Sequence, residues 1–264
     1  MKNRIPIPHE HGAWGMLYIP FLSATFCAGV FDLKLLLAFL VITVAFFLQQ
    51  PLLTAIRLYP GRGSNPERFQ FLLRWSAVYA VLLAGLFGIL YWLLRDQRIF
   101  IFAAIGAGVF FAHLQLKTER LDRKIVGEAV SVLGLTLSAP FTWLVVTGKL
   151  DPFAFLLWGL NIVYFVSSLF YVRLRVTRAI KKRNPAVAAK QCAVYHLAVL
   201  LLLSAAVSFE FLSVVVLLAF LPILLRAGWA VFSADSSLNL QRIGWMEVGL
   251  SLIFVALLSF GLHP

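Results

Sequence analysis

Acidic residues are scarce in this chain, 11 in 264 against 23 Lys and Arg. Charge of either sign makes up only 13% of the sequence, about half the share of an ordinary soluble domain. A soluble fold of this length needs a polar skin, and there is too little polar material here to make one. Cysteine is almost missing as well, with only Cys27 and Cys192. They fall in the outer half of the first apolar span and the inner start of the seventh, too far apart to bridge, so no disulfide framework follows and both read as small packing residues. No polar stretch is long enough to hold a separate soluble domain, and residues 1–264 read as one transmembrane domain.

What is there is hydrophobic, at 61% of residues and a mean hydropathy of +0.91. Runs such as LLLAFLVITVAFFL (35–48) and LSVVVLLAFLPILL (212–225) are apolar on every face. Transmembrane barrels alternate apolar with polar residues, so these runs exclude a barrel and require helices. A helix crosses a bilayer core of about 30 Å with about 20 residues. On that measure the chain is an all-α, polytopic membrane bundle of about nine spans, at 12–30, 35–56, 71–94, 99–116, 125–146, 152–172, 191–208, 211–226 and 243–262. The connection RLYPGRGSNPER (57–68) is a loop by its turn residues, and KTERLDRK (117–124) is a charged link. Lys2 and Arg4 precede an apolar stretch, but Pro6, Pro8, His9, Glu10 and His11 interrupt it, so the first helix is expected to be retained.

Basic residues alternate between faces. Nineteen of the 23 fall at the N-terminus and around the loops after spans two, four, six and eight. The positive-inside rule therefore expects the cytoplasmic, inner membrane, with the N-terminus inside and the C-terminus outside. A net charge of +12 arranged in this way between spans points to anionic lipid headgroups or a phosphorylated substrate rather than nucleic acid.

Three constellations carry potential chemistry. PHEHGAW (8–14) places His9, Glu10 and His11 at a bent entry to span one, where they could meet a substrate or a metal or act as acid and base; the alternative is a polar lead-in anchored by Trp14. In KTERLDRKIVGE (117–128), Arg120, Lys124 and Glu128 share a helical face, and Glu128 lies about a turn inside the membrane, where Lys124 is its natural partner. In YVRLRVTRAIKKR (171–183), Arg175, Arg178 and Lys182 follow one face, either as a lipid anchor or with Arg175 and Arg178 as a phosphate clamp. Asn161, near mid-membrane, should face the bundle interior, and Gln49-Gln50-Pro51 predicts a kinked second helix.

The nine-span pattern with long loops after spans two and six resembles the UbiA-type intramembrane prenyltransferase superfamily. GLTLSAPFTWLVVTGKL (134–150) and WGLNIVYFVSSLFYVR (158–173) carry that resemblance, with Lys117 and Asn161 matching its lysine before span five and its asparagine in span six. It implies a UbiA-like bundle with a cytoplasmic cavity for an isoprenoid or other anionic-headed lipid, lined by Arg57, Lys117, Arg120, Lys124, Asn161, Tyr171, Arg175 and Arg178. The two aspartate-rich motifs that hold Mg²⁺ in that superfamily are replaced by LQQPLLTAIRLY (48–59) and SLFYVRLRVTR (168–178), which contain no acid. No Mg²⁺ or other metal or cofactor is therefore expected. PHEHGAWGM (8–16) separately resembles the YwiC-like family of bacterial membrane proteins. Three readings remain: a divergent prenyltransferase-like enzyme, whose catalytic candidates are His9, Glu10, His11 and Glu128, a transporter or lipid carrier, and a non-catalytic scaffold.

Overall fold

The computed structural model describes residues 6–8, 11–59, 63, 65–118, 125–180, 184–233 and 238–262. Among these the regular structure is ten α-helices and no strand: α1 (His11–Ala28), α2 (Leu33–Leu58), α3 (Pro66–Leu94), α4 (Ile99–Thr118), α5 (Ile125–Thr136), α6 (Ser138–Thr147), α7 (Pro152–Ala179), α8 (Ala186–Ser208), α9 (Val214–Phe232) and α10 (Leu240–Gly261). Eight stretches of the described residues are long and apolar enough to cross a membrane, α5 and α6 counting together as Val126–Thr147. Helix α1, at 18 residues, is the short ninth, at the lower end of the crossing range.

Several helices outrun the apolar stretches that announce them. α3 begins at Pro66, and α7 continues to Ala179 through the basic run. Apolarity marks where lipid begins, whereas a helix ends where its backbone is capped. Asp32, Asn65, Asp151 and Asn239 each accept a backbone N–H three residues on, from Leu35, Arg68, Ala154 and Arg242, and Pro66 and Pro152 fill first-turn positions that need no donor.

Among the described residues the interrupted span is not the one that carries Pro51. α2 runs unbroken through Pro51, while the fifth span breaks at Leu137. Pro140 explains the break. It sits in the first turn of α6, where a missing N–H is harmless, yet that N–H is the donor the Thr136 carbonyl would need to carry α5 onward.

The chain forms two compact units. The first contains residues 30–134 and 141–149, hence α2, α3, α4, most of α5, and α6 but for its first turn. Within it α2 packs along α3, with Phe47 edge-on to Tyr79 at 5.9 Å. Most of α3 and α4 is exposed, the apolar surface that a bilayer covers. At one turn Gly148, at φ 69°, accepts from Arg98 Nη2 at 2.8 Å, while the same guanidinium grips Asp96 with Nε at 3.0 Å and Nη2 at 2.6 Å.

The second unit holds residues 11–29, 135–140 and 150–264, hence α1, α7, α8, α9 and α10 with the short segment at the break. Its centre is aromatic: Tyr164 of α7 stacks on Phe254 of α10 at 4.1 Å, and Phe220 of α9 stands edge-on to Phe254 at 5.2 Å. The segment at the break is bound by polar contacts, Ser138 Oγ donating to the Leu17 carbonyl at 2.7 Å and Trp158 Nε1 to Thr136 Oγ1 at 3.0 Å. Both are side-chain hydrogen bonds, and they tie the residues flanking the break to α1 and α7.

Candidate functional site

Charges inside apolar helices are costly and need partners. The second unit contains such a pair. Arg226 lies two turns before the end of α9 and Glu247 two turns after the start of α10. Arg226 Nη1 donates to Glu247 Oε1, and the side chains are only 7% and 19% exposed. Ser168 of α7 donates its hydroxyl to the other carboxylate oxygen at 2.7 Å. The Arg226 guanidinium lies over the ring of Tyr171 at 4.1 Å, the geometry of a cation–π contact. Ser168 and Tyr171 are three apart on α7, so one helical face presents both to the pair.

Beneath this lies an apolar floor of Tyr171, Leu174, Cys192, Ala227, Ala230 and Ile243, drawn from the end of α7, the start of α8, the end of α9 and the start of α10. The same α7 face continues to Arg175 and Arg178. Arg178 spans to α9 and donates to the carbonyls of Ala230 and Val231, the latter at 2.9 Å. These are among the last carbonyls of α9, which lack helical donors, so Arg178 closes that helix end.

Arg226 is less completely satisfied. Its Nε and Nη2 are buried with no hydrogen-bond partner among the described residues. A further positive charge, Arg178, is held at the end of the same helix, and Arg175 lies on the α7 face that leads to it.

A second polar contact joins α7 to α8. Ser167 Oγ lies 2.7 Å from His196 Nε2, and His196 Nδ1 lies 2.7 Å from the Cys192 carbonyl. A carbonyl only accepts, so the ring proton is on Nδ1 and Nε2 accepts from Ser167. Cys27 and Cys192 are both buried free thiols. Asn161 is wholly buried; its Nδ2 donates to Ser23 Oγ of α1 at 3.0 Å and to the Leu157 carbonyl at 2.8 Å.

Of the residues singled out from sequence, Asn161, Tyr171, Arg175 and Arg178 belong to this unit. Arg57, exposed in the last turn of α2, and Glu128, half-buried in the first turn of α5, belong to the other. His9, Glu10, Arg120 and Lys124 lie outside the described residues, as do the side chains of His11 and Lys117. Among the described residues no three His, Cys, Asp or Glu side chains gather to hold a metal ion. Arg226 and Glu247 escaped the sequence reading as a pair. The signal was present: opposite charges within two apolar spans, near ends that charge alternation assigns to one face.

No curated protein and no solved structure matches the chain. A family model described as YwiC-like protein matches residues 7–143, from just before α1 into α6. That is slightly more than half of the chain, and it stops short of α7.

Proposed function

The chain belongs to the YwiC-like family, and from that premise we propose that it is a UbiA-like membrane bundle binding a lipid with an anionic head at the basic end of α7. The observation that carries this reading is the arginine gathered there: Arg226, paired with Glu247, and Arg175 and Arg178 further along the face of α7 that carries Ser168 and Tyr171, at the rim of apolar helices. A lipid supplies both complements, an apolar tail for the spans and a negative head for the arginines. The UbiA resemblance makes an isoprenoid the first candidate for the tail. Charge alternation puts this end at the cytoplasmic face of the inner membrane.

The reading gives the head to arginine and not to a metal. Mg²⁺ takes oxygen ligands, chiefly carboxylates, phosphates and water, and SLFYVRLRVTR offers no acid. Prenyl transfer of the metal-assisted kind would lack its usual activation of the leaving diphosphate, and the function proposed is lipid binding.

The test is mass spectrometry of lipid co-purified with the protein, before and after chelation of divalent cations. Enrichment of an anionic lipid over the bulk membrane, unchanged by chelation, is the expected result. A co-purified lipid profile identical to the bulk membrane would refute lipid recognition. Loss of the enriched lipid on chelation, restored by Mg²⁺, would refute the metal-independent mode.

A further inference from the structure

Arginine carries five N–H donors on a rigid plane, and Nε and Nη2 together form one side-on edge able to meet two oxygens at once. Elsewhere in this chain that edge is in use: Arg98 presents Nε at 3.0 Å and Nη2 at 2.6 Å to the carboxylate of Asp96. In Arg226 the same two atoms are buried and have no partner among the described residues, while Nη1 is held by Glu247. The guanidinium is not free to turn away, because Tyr171 covers its face at 4.1 Å and Ser168 fixes the opposite oxygen of Glu247 at 2.7 Å. A buried charged donor without an acceptor is expensive, and two on one edge more so. We infer that the Nε–Nη2 edge of Arg226 is a two-point seat for a single oxyanion, the phosphate or carboxylate of a lipid head. This rests on the lipid-binding reading above and names the group that reads the head.

Charge and depth agree with it. Arg226 and Glu247 neutralise one another, so an incoming monoanion is balanced by the nearby positive charge of Arg178, which is fixed against the end of α9. From Arg226 to Phe232, the last residue of α9, the helix rises about 9 Å. A head drawn down by that distance remains at the polar margin of the bilayer while its tail lies along the apolar helices. Glu247 then works against the anion as well as holding the arginine, so removing its charge should tighten binding.

The experiment is native mass spectrometry of the full chain in detergent, with phosphatidate, a fatty acid and diacylglycerol of matched chain length. Wild type should retain phosphatidate or the fatty acid above diacylglycerol, and the two anionic arms separate phosphate from carboxylate recognition. Arg226→Lys keeps the charge but loses the planar edge, and should weaken retention of the preferred anion about tenfold while leaving diacylglycerol unaffected. Glu247→Gln should strengthen it. If wild type prefers neither anion, the lipid-binding reading itself falls. If wild type prefers an anion and Arg226→Lys and Glu247→Gln both retain it as wild type does, the head is read elsewhere and the seat is overturned, while the lipid-binding reading stands. Should Arg226→Lys fail to fold, Glu247→Gln decides: unchanged or weaker anion retention overturns the seat.

Discussion

Two adjacent hydroxyls on α7 reach different neighbours, Ser167 to His196 of α8 and Ser168 to Glu247 of α10. Each is a polar bond between helices in an apolar setting, where such bonds contribute about 1 kcal/mol. Ser167→Ala leaves His196 Nε2 without its donor and should lower stability by about 1 kcal/mol. Ser167→Ala combined with His196→Phe removes both partners and should cost less than the sum of the singles. Thermal melting of the four proteins in one detergent measures that coupling, and strict additivity would show the contact to be idle. Outside the apolar spans, the hydrogen bond from Arg98 holds the Asp96 carboxyl below its ordinary value of 3.8. A depressed carboxylate stabilises the fold above its unfolded pKa and ceases to do so as the pH falls through the folded one. The loop joining α3 to α4, and its bond to Gly148, should therefore loosen as acid is added below pH 3.8. Amide exchange of Arg98, whose N–H donates to Asp96, should speed up in that range, and Asp96→Asn should exchange quickly at every pH.

At the scale of elements, apolar runs announced the helices, while starts such as that of α3 at Pro66 lie ahead of them and are set by caps. Asp32, Asn65 and Asp151 are ordinary capping residues, and Pro66 and Pro152 mark two first turns outright. The sequence did not announce which proline would break a span. Pro51 and Pro140 look alike in sequence, but Ser138 and Thr136 beside Pro140 find partners in Leu17 and Trp158 across space. A break is tolerated where such partners exist, and they are visible only once the helices have packed. The candidate site was half legible for the same reason. Tyr171, Arg175 and Arg178 follow one helical face and can be read from spacing, whereas the pairing of Arg226 with Glu247 depends on how α9 meets α10. Thr136→Val removes the acceptor of Trp158 Nε1 and should cost about 1–3 kcal/mol with a change in tryptophan emission, while Thr136→Ser should restore most of it. Equal melting temperatures for Val and Ser would mean that the break is held by shape alone.

For the whole molecule, a count of nine spans would place the two ends on opposite sides of the membrane. Nineteen of the 23 basic residues fall on the side assigned to the N-terminus. Cysteine labelling at introduced sites near Lys2 and near Leu262 should therefore report the first from the cytoplasm and the second from outside. Labelling of both from one side would remove α1 or another span from the count. Helix α1 is the span to watch, since it is the shortest and has Pro20 inside it.

The interrupted fifth span also bears on how the protein is made. α5 has 12 residues and α6 has 10, so they rise about 18 and 15 Å, and neither crosses the bilayer alone. The side chains flanking the break are bonded on one side to α1, already synthesised when they emerge, and on the other to Trp158, which is not. During synthesis the ribosome must extend the chain beyond the break before the second partner exists. A nascent chain halted after Thr147 should accordingly remain accessible to membrane proteases, and one extended through the end of α7 should become resistant. That outcome would make completion of the fifth span wait for the sixth.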